Sequence, residues 1–235
     1  MFSVIRKEGE YMLVDQVKIE EASRSSYIEA FDKLFLEWQQ SSMEYLSLLM
    51  DASFETYLLK KGFHQVSSIV EYTRSLDAKF SLPTDITVHC LANGAYSDKE
   101  FAELYELARS GTANKNNLFT IEQIMESLPN ELGATWRSNC FIFTENETPL
   151  GIGIPHIEQG KTEEGRMFYF GVLPDFRQQS YGAKLHLLTL HEMKKLGATT
   201  YVGSTDENNY GMIRIFEKNG ASKRDHKGIY RINRK

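Results

Sequence analysis

The stretch from Met167 to Leu196 constrains the fold of this chain more than any other. An apolar run, Met167 to Leu173, ends at Pro174 and reads as a buried strand. A short polar loop follows, with Arg177 at its centre, and Gly182 and Ala183 open a helical segment. Ala183, Leu187, Leu190 and Lys194 recur at helical steps there, and Gly197 closes it. A strand that runs through such a loop into a helix makes a nest of backbone N–H groups. The first four helix amides lack intrahelical acceptors, and the helix dipole is positive at that end. A nest of this kind attracts a phosphate or pyrophosphate. The dipole contributes only roughly 0.3–1 kcal/mol, so several N–H groups and Arg177 have to share the task.

The 235 residues suit one large domain or two small ones and are enough for a real core. At 41% hydrophobic and 25% charged residues, the composition is that of a soluble globular protein. A net charge of −5 argues against general nucleic-acid binding, which needs a concentrated basic surface. Cys90 and Cys140 form neither a disulfide framework nor a metal-ligand spacing and are expected as small core residues in a reducing compartment, with no bound metal. The opening residues Met1 to Glu8 lack the apolar core of a signal peptide, and no apolar run is long enough to span a membrane. The expectation is a cytoplasmic protein without membrane or nucleic-acid partners; a homodimer is a candidate assembly.

Along the chain, Phe2 to Ile5 and Tyr11 to Val17 read as short strands around Gly9. Tyr27, Ala30, Phe31, Leu34 and Phe35 mark a helix, Met43 to Leu49 a second helical run, and Phe54 to Lys61 a short helix stopped by Gly62. Val66 to Tyr72 is a strand. Ser75 to Thr84 has little periodicity, and a domain boundary is placed there, giving residues 1–80 and 81–235. The second part begins with a strand, Ile86 to Leu91. Capping boxes at Ser97–Glu100 and Thr120–Gln123 start two helices, the second ended by Pro129. Cys140 to Thr144 and Leu150 to Ile154 form a hairpin around Glu145-Asn-Glu-Thr, and a polar turn from Glu158 to Gly165 leads to the central strand. Thr199 to Gly203 is a strand, Asn209 to Asn219 a helix ended by Gly220, and Ile229 to Ile232 a last strand. The second part therefore runs β-α-α-β-β-β-α-β-α-β.

This order resembles the GNAT superfamily of N-acetyltransferases. That family carries an R/Q-x-x-G-x-G/A signature after its fourth strand, and here the sequence reads Arg177-Gln-Gln-Ser180-Tyr-Gly182-Ala183, with Ser180 at the first glycine. A second stretch, N-x-x-A-x-x-x-Y/F-x-K-x-G, is similar to Asn209-Tyr-Gly-Met212-Ile-Arg-Ile-Phe216-Glu-Lys218-Asn-Gly220. The resemblance covers roughly Asp85 to Lys235. It implies an α/β (α+β) fold: a mixed central sheet flanked by helices, with a smaller N-terminal α/β segment. It also implies acetyl-CoA as substrate, held by Phe170, Gly171 and Val172 of the strand, by Arg177, Gln178, Gln179, Ser180, Tyr181, Gly182 and Ala183 of the loop, and by Asn209 and Phe216. Within the first part, Leu58-Leu-Lys-Lys-Gly62-Phe and the strand ending at Tyr72 parallel Phe216-Glu-Lys-Asn-Gly220-Ala and the strand ending at Tyr230; both tyrosines lie ten positions after the glycine. The first part thus looks like the tail of a degenerate, shortened GNAT domain without a pyrophosphate loop.

The implied reaction is acyl transfer from a thioester to an amine. An alkylamine with a pKa near ~10.4 loses its proton at pH 7 at a cost of roughly 4–5 kcal/mol, so a base or a water chain has to take it. In the family a glutamate often sits on the fourth strand, near Phe168 to Phe170 here, and none is present. Tyr169, Glu158, His156 and Asp206 are the candidates. Their plainer readings are a packed aromatic, a solvated turn, a surface histidine and a loop aspartate. The family often has tyrosine as acid where Phe216 stands, and Tyr210 is the substitute candidate. Asn209 reads both as a cofactor contact and as a helix N-cap. His186 and His191, five apart, read as surface residues; Lys184, Lys194 and Lys195 read as a solvated face, with Lys184 near the loop. Two functions follow: an acetyl-CoA-dependent N-acetyltransferase acting on an amine of a small molecule or peptide, or a non-catalytic acyl-CoA-binding or interaction module of the same fold.

Overall fold

The computed structural model describes residues 1–19, 21–112 and 119–234. The chain forms two compact units, Met1–Val70 with Asp225–Lys235, and Glu71–Arg224. These units do not follow the 75–84 seam; the C-terminal segment returns to the first of them.

In the first unit, β1 (Phe2–Lys7) and β2 (Tyr11–Gln16) form an antiparallel hairpin whose turn needs the left-handed Gly9, φ 73°. Helix α1 (Arg24–Gln40) starts where the Ser23 hydroxyl accepts from the Ser26 amide. Next comes β3 (Tyr45–Asp51), parallel to β2 with Val14 opposite Leu48. The helix expected over Met43 to Leu49 is thus a strand. Leu46, Leu48 and Met50 alternate inward with period two, and pairing on both edges decides what a short apolar run leaves ambiguous. Helix α2 (Glu55–Lys60) leads to β4 (His64–Ser75). The last strand, β10 (Ser222–Asn233), runs antiparallel to β3, with Tyr230 opposite Leu48. Tyr27, Phe31, Phe35 and Trp38 of α1 pack over Met12, Val14, Leu46, Leu48 and the fully buried Tyr230.

In the second unit, β5 (Thr87–Cys90), β6 (Phe141–Glu145), β7 (Thr148–Ile157) and β8 (Glu164–Val172) make an antiparallel meander. β9 (Thr200–Asp206) follows in parallel to β8, and the end of β4 lies beyond it. The mixed sheet and the element order match the expected α/β fold. Helices α3 (Asp98–Arg109) and α4 (Ile121–Leu132) start at the two expected capping boxes. They cover the face carrying Ile142, Ile152 and Ile154. Helix α5 (Tyr181–Lys195) covers the other face through Leu185 and Leu188 against Phe141 and Phe143. Its close approach depends on Gly153, where a Cβ would run into the Thr189 side chain. Helix α6 (Tyr210–Lys218) precedes β10.

Pro129 does not end its helix. α4 continues to Leu132, because Leu128 is fully buried and Leu132 packs against the same cluster. That burial offsets the bond the proline removes. His186, expected on the surface, is fully buried. Among the described residues, no helix is long and apolar enough to cross a membrane.

Candidate functional site

Strands β8 and β9 pair at Glu164 with Thr200 and at Gly165 with Tyr201. They then part, and residues 166–172 of one and 201–205 of the other line a cleft of about 1130 Å³. An irregularity helps to open it: Ile154 faces Tyr169 and Pro155 faces Met167, so Phe168 is an extra residue on β8. A bulged strand leaves backbone groups outside the ladder, which is what a ligand amide can pair with.

The far end of the cleft is the loop between β8 and α5. Gln178 and Ser180 both adopt left-handed backbone, φ 60° and 69°. Ser180 stands as N-cap of α5 without a side-chain cap bond. Alternation of this kind turns successive amides to one side and builds the anion nest. Arg177 lines the cleft and also ties the loop to its neighbours. Its Nε donates to the Val172 carbonyl (3.0 Å), Nη2 to Ala108 (3.0 Å) and Nη1 to Gly111 (3.4 Å). Among the described residues, the exposed Arg214 and Lys218 of α6 also line the cleft, one helical turn apart. Reading the motif alone missed this pair, although the i, i+4 spacing after Asn209 was visible.

Of the expected contacts, Phe170, Gly171, Val172, Arg177, Gln178, Ser180, Gly182, Ala183, Asn209 and Phe216 line the cleft. Asn209 also caps α6: its Oδ1 accepts from the Met212 amide at 3.2 Å, and its Nδ2 donates to Thr205 at 3.0 Å. Gln179 and Tyr181 are not among the lining residues. Gln179 bonds back to the Asp175 carbonyl, and the Tyr181 hydroxyl donates to Glu145 at 2.7 Å.

The candidate acids and bases separate in space. Tyr169 lies in the cleft, stacked on Tyr105 with centroids 4.3 Å apart. Burial pushes its phenol up to about 12 against the smaller opposing pull of Arg177 and Arg109. It therefore keeps its proton at neutral pH and can donate a hydrogen bond. Tyr210 is 64% exposed and does not line the cleft. The His156 ring sits on the Ile157 carbonyl, and Asp206 caps the Asn208 amide; neither lines the cleft. Glu158 is one step removed, paired with Arg166 Nε at 3.0 Å.

Arg166 was not foreseen. It lines the cleft where the strands part and meets three carboxylates: Glu158, Glu164 Oε1 at 2.8 Å and Glu71 Oε1 at 3.5 Å. Ser204, exposed in the cleft wall, donates to the same Glu71 oxygen at 3.2 Å. Glu71 is buried on β4. Beneath the floor, the Asn219 side-chain amide donates to the Ala183 carbonyl (3.0 Å) and to His186 Nδ1 (2.9 Å). That leaves His186 Nε2–H for the Tyr201 hydroxyl at 3.1 Å. Full burial pushes the imidazole down to about 3, so the ring is neutral. The network ties the start of α5 to the end of α6. Among the described residues, no group of three or more His, Cys, Asp or Glu is placed to hold a metal.

The model for the Acetyltransferase (GNAT) family matches residues 101–221, just over half of the chain. No curated protein matches the sequence. Among solved structures, a GCN5-related N-acetyltransferase from Sphaerobacter thermophilus aligns with 99% of this chain and 76% of its own, at 14% identity and a TM-score of 0.66. An acetyltransferase of the GNAT family from Colwellia psychrerythraea aligns over 99% and 81%, at 14% identity and a TM-score of 0.64. A tandem GNAT protein from the clavulanic acid biosynthesis pathway aligns over 99% and 78%, at 12% identity and a TM-score of 0.61. At these identities the likeness is one of fold.

Proposed function

Because the chain belongs to the acetyltransferase (GNAT) family, we propose that it is an acetyl-CoA-dependent N-acetyltransferase, moving the acetyl group to an amine of a small molecule or peptide by direct attack. The observation that carries this reading is the cleft between the parted β8 and β9, closed at one end by the left-handed loop before α5. The loop amides, with Arg214 and Lys218, would hold the pyrophosphate and neighbouring phosphate. The open edge of β8 near Phe170 to Val172 would pair with the pantetheine amides and turn an N–H to the thioester oxygen. Tyr169 would donate a hydrogen bond to the departing sulfur.

A second reading, a non-catalytic acyl-CoA-binding module, is favoured by one observation: Met167 to Val172 carries no carboxylate, and Phe216 has no hydroxyl to donate. The test is thiol release from acetyl-CoA across a panel of alkylamines, diamines and peptide N-termini. Amine-dependent release supports the transferase. Binding of acetyl-CoA with no release on any amine supports the module.

The first unit we read as a degenerate partial copy of the same domain. β3-α2-β4 repeats β9-α6-β10, and both helices close alike: Gly62 N–H bonds to Leu59 and Phe63 N–H to Leu58, as Gly220 bonds to Glu217 and Ala221 to Phe216. On this reading residues 1–80 and 81–235 are the two ancestral domains.

A further inference from the structure

The strand that should supply a base carries none, yet a buried carboxylate on another strand contacts two side chains of the cleft wall. Glu71 is 7% exposed, and its Oε1 accepts from Ser204 at 3.2 Å. Ser204 itself is exposed and lines the cleft wall. The same oxygen lies 3.5 Å from Arg166 Nη1. Arg166 is shared with the nearer Glu158 and Glu164, and Arg224 reaches Glu164 at 3.5 Å. Arg166 itself lines the cleft, and these carboxylates stand behind it. Arg214 and Lys218 of α6 line the same cleft.

We propose that Glu71, acting through the Ser204 hydroxyl, takes the first proton of a cationic alkylamine acceptor. The assignment rests on the transferase reading. The ammonium gives a proton to Ser204 Oγ while the Ser204 proton passes to Glu71 Oε1. The neutral nitrogen then attacks the thioester carbon: the C–N bond forms, the C–S bond breaks, and the electron pair leaves on sulfur. The second nitrogen proton goes to that thiolate, giving amide and thiol, and Glu71 returns its proton to solvent. Because Glu71 acts through Ser204, it is a positioning and proton-accepting residue rather than one that touches the acceptor.

The test uses the full chain with two probes, 1,4-diaminobutane, which is cationic at pH 7, and hydroxylamine, which is already neutral there. In Glu71→Gln and in Ser204→Ala, transfer to diaminobutane should fall about 100-fold relative to transfer to hydroxylamine. The deficit should shrink as pH rises toward the amine's own pKa. Ser204→Ala, at an exposed position, guards against a folding defect in Glu71→Gln. An unchanged ratio of the two rates in both variants overturns the relay and leaves the transferase reading intact. An unaltered protein that binds acetyl-CoA but releases thiol with neither probe nor any other amine of the panel overturns both. Loss of acetyl-CoA binding in Ser204→Ala also overturns the relay, because Ser204 would then belong to the cofactor side.

Discussion

At the scale of single residues, His186 shows how a buried polar group sets pH behaviour. Its ring is neutral in the folded protein, held down to about 3 by burial. In the unfolded chain it takes a proton near pH 6.5. Between those values the unfolded state binds the extra proton, so acid favours unfolding. The contribution is fully present above about pH 6.5 and is lost as pH falls toward 3, with a slope approaching about 1.4 kcal/mol per pH unit. His186→Gln should flatten the melting temperature against pH below 6.5; parallel curves for the two proteins would contradict the assignment. Ser180 carries a different cost. A side chain at φ 69° is strained, and Ser180→Gly should stabilise the fold by about 0.5–1 kcal/mol in denaturant titration. Asn209 was legible from sequence because its N-cap chemistry is local. His186 was not: its partners Asn219 and Tyr201 lie 33 and 15 residues away. Glu71 was hidden for the same reason, meeting Ser204 across 133 residues.

At the scale of elements, local signals were reliable where they had a mechanism. Capping boxes placed α3 and α4, and glycines placed the ends of α2, α5 and α6. They failed where tertiary burial overrode them. Tyr45 to Asp51 is a strand because partners flank it on both sides, and α4 runs through Pro129 because Leu128 and Leu132 are packed. The loop before α5 was recognised, but the two cations of α6 that line the same cleft were not. Arg177 spends its donors on three carbonyls, while Arg214 and Lys218 present theirs to the cleft. Arg214→Ala and Lys218→Ala should each weaken acetyl-CoA binding roughly tenfold, about 1.4 kcal/mol, and more weakly at high salt. Equal affinity in both variants would remove α6 from the phosphate site.

At the scale of the whole molecule, sequence order and compactness divide the chain differently. The first unit takes its strand β10 from the far end of the sequence, and Tyr230 sits in its core. Periodicity located that strand, but nothing local in Ile229 to Ile232 states which sheet it joins. Tyr230→Ala should destabilise the first unit by about 3 kcal/mol. Amide exchange across Tyr45–Asp51 should then accelerate by roughly 100-fold. Protection unchanged in that strand would contradict the assignment. The cleft between β8 and β9 is where acetyl-CoA should bind. Its most direct test is calorimetric titration of the unaltered chain and of Gly182→Asp with acetyl-CoA, circular dichroism confirming that both are folded. Binding should be saturable in the unaltered chain and lost when a carboxylate enters the nest; no binding by the unaltered chain, or equal binding by both, would rule out the cleft as the acetyl-CoA site.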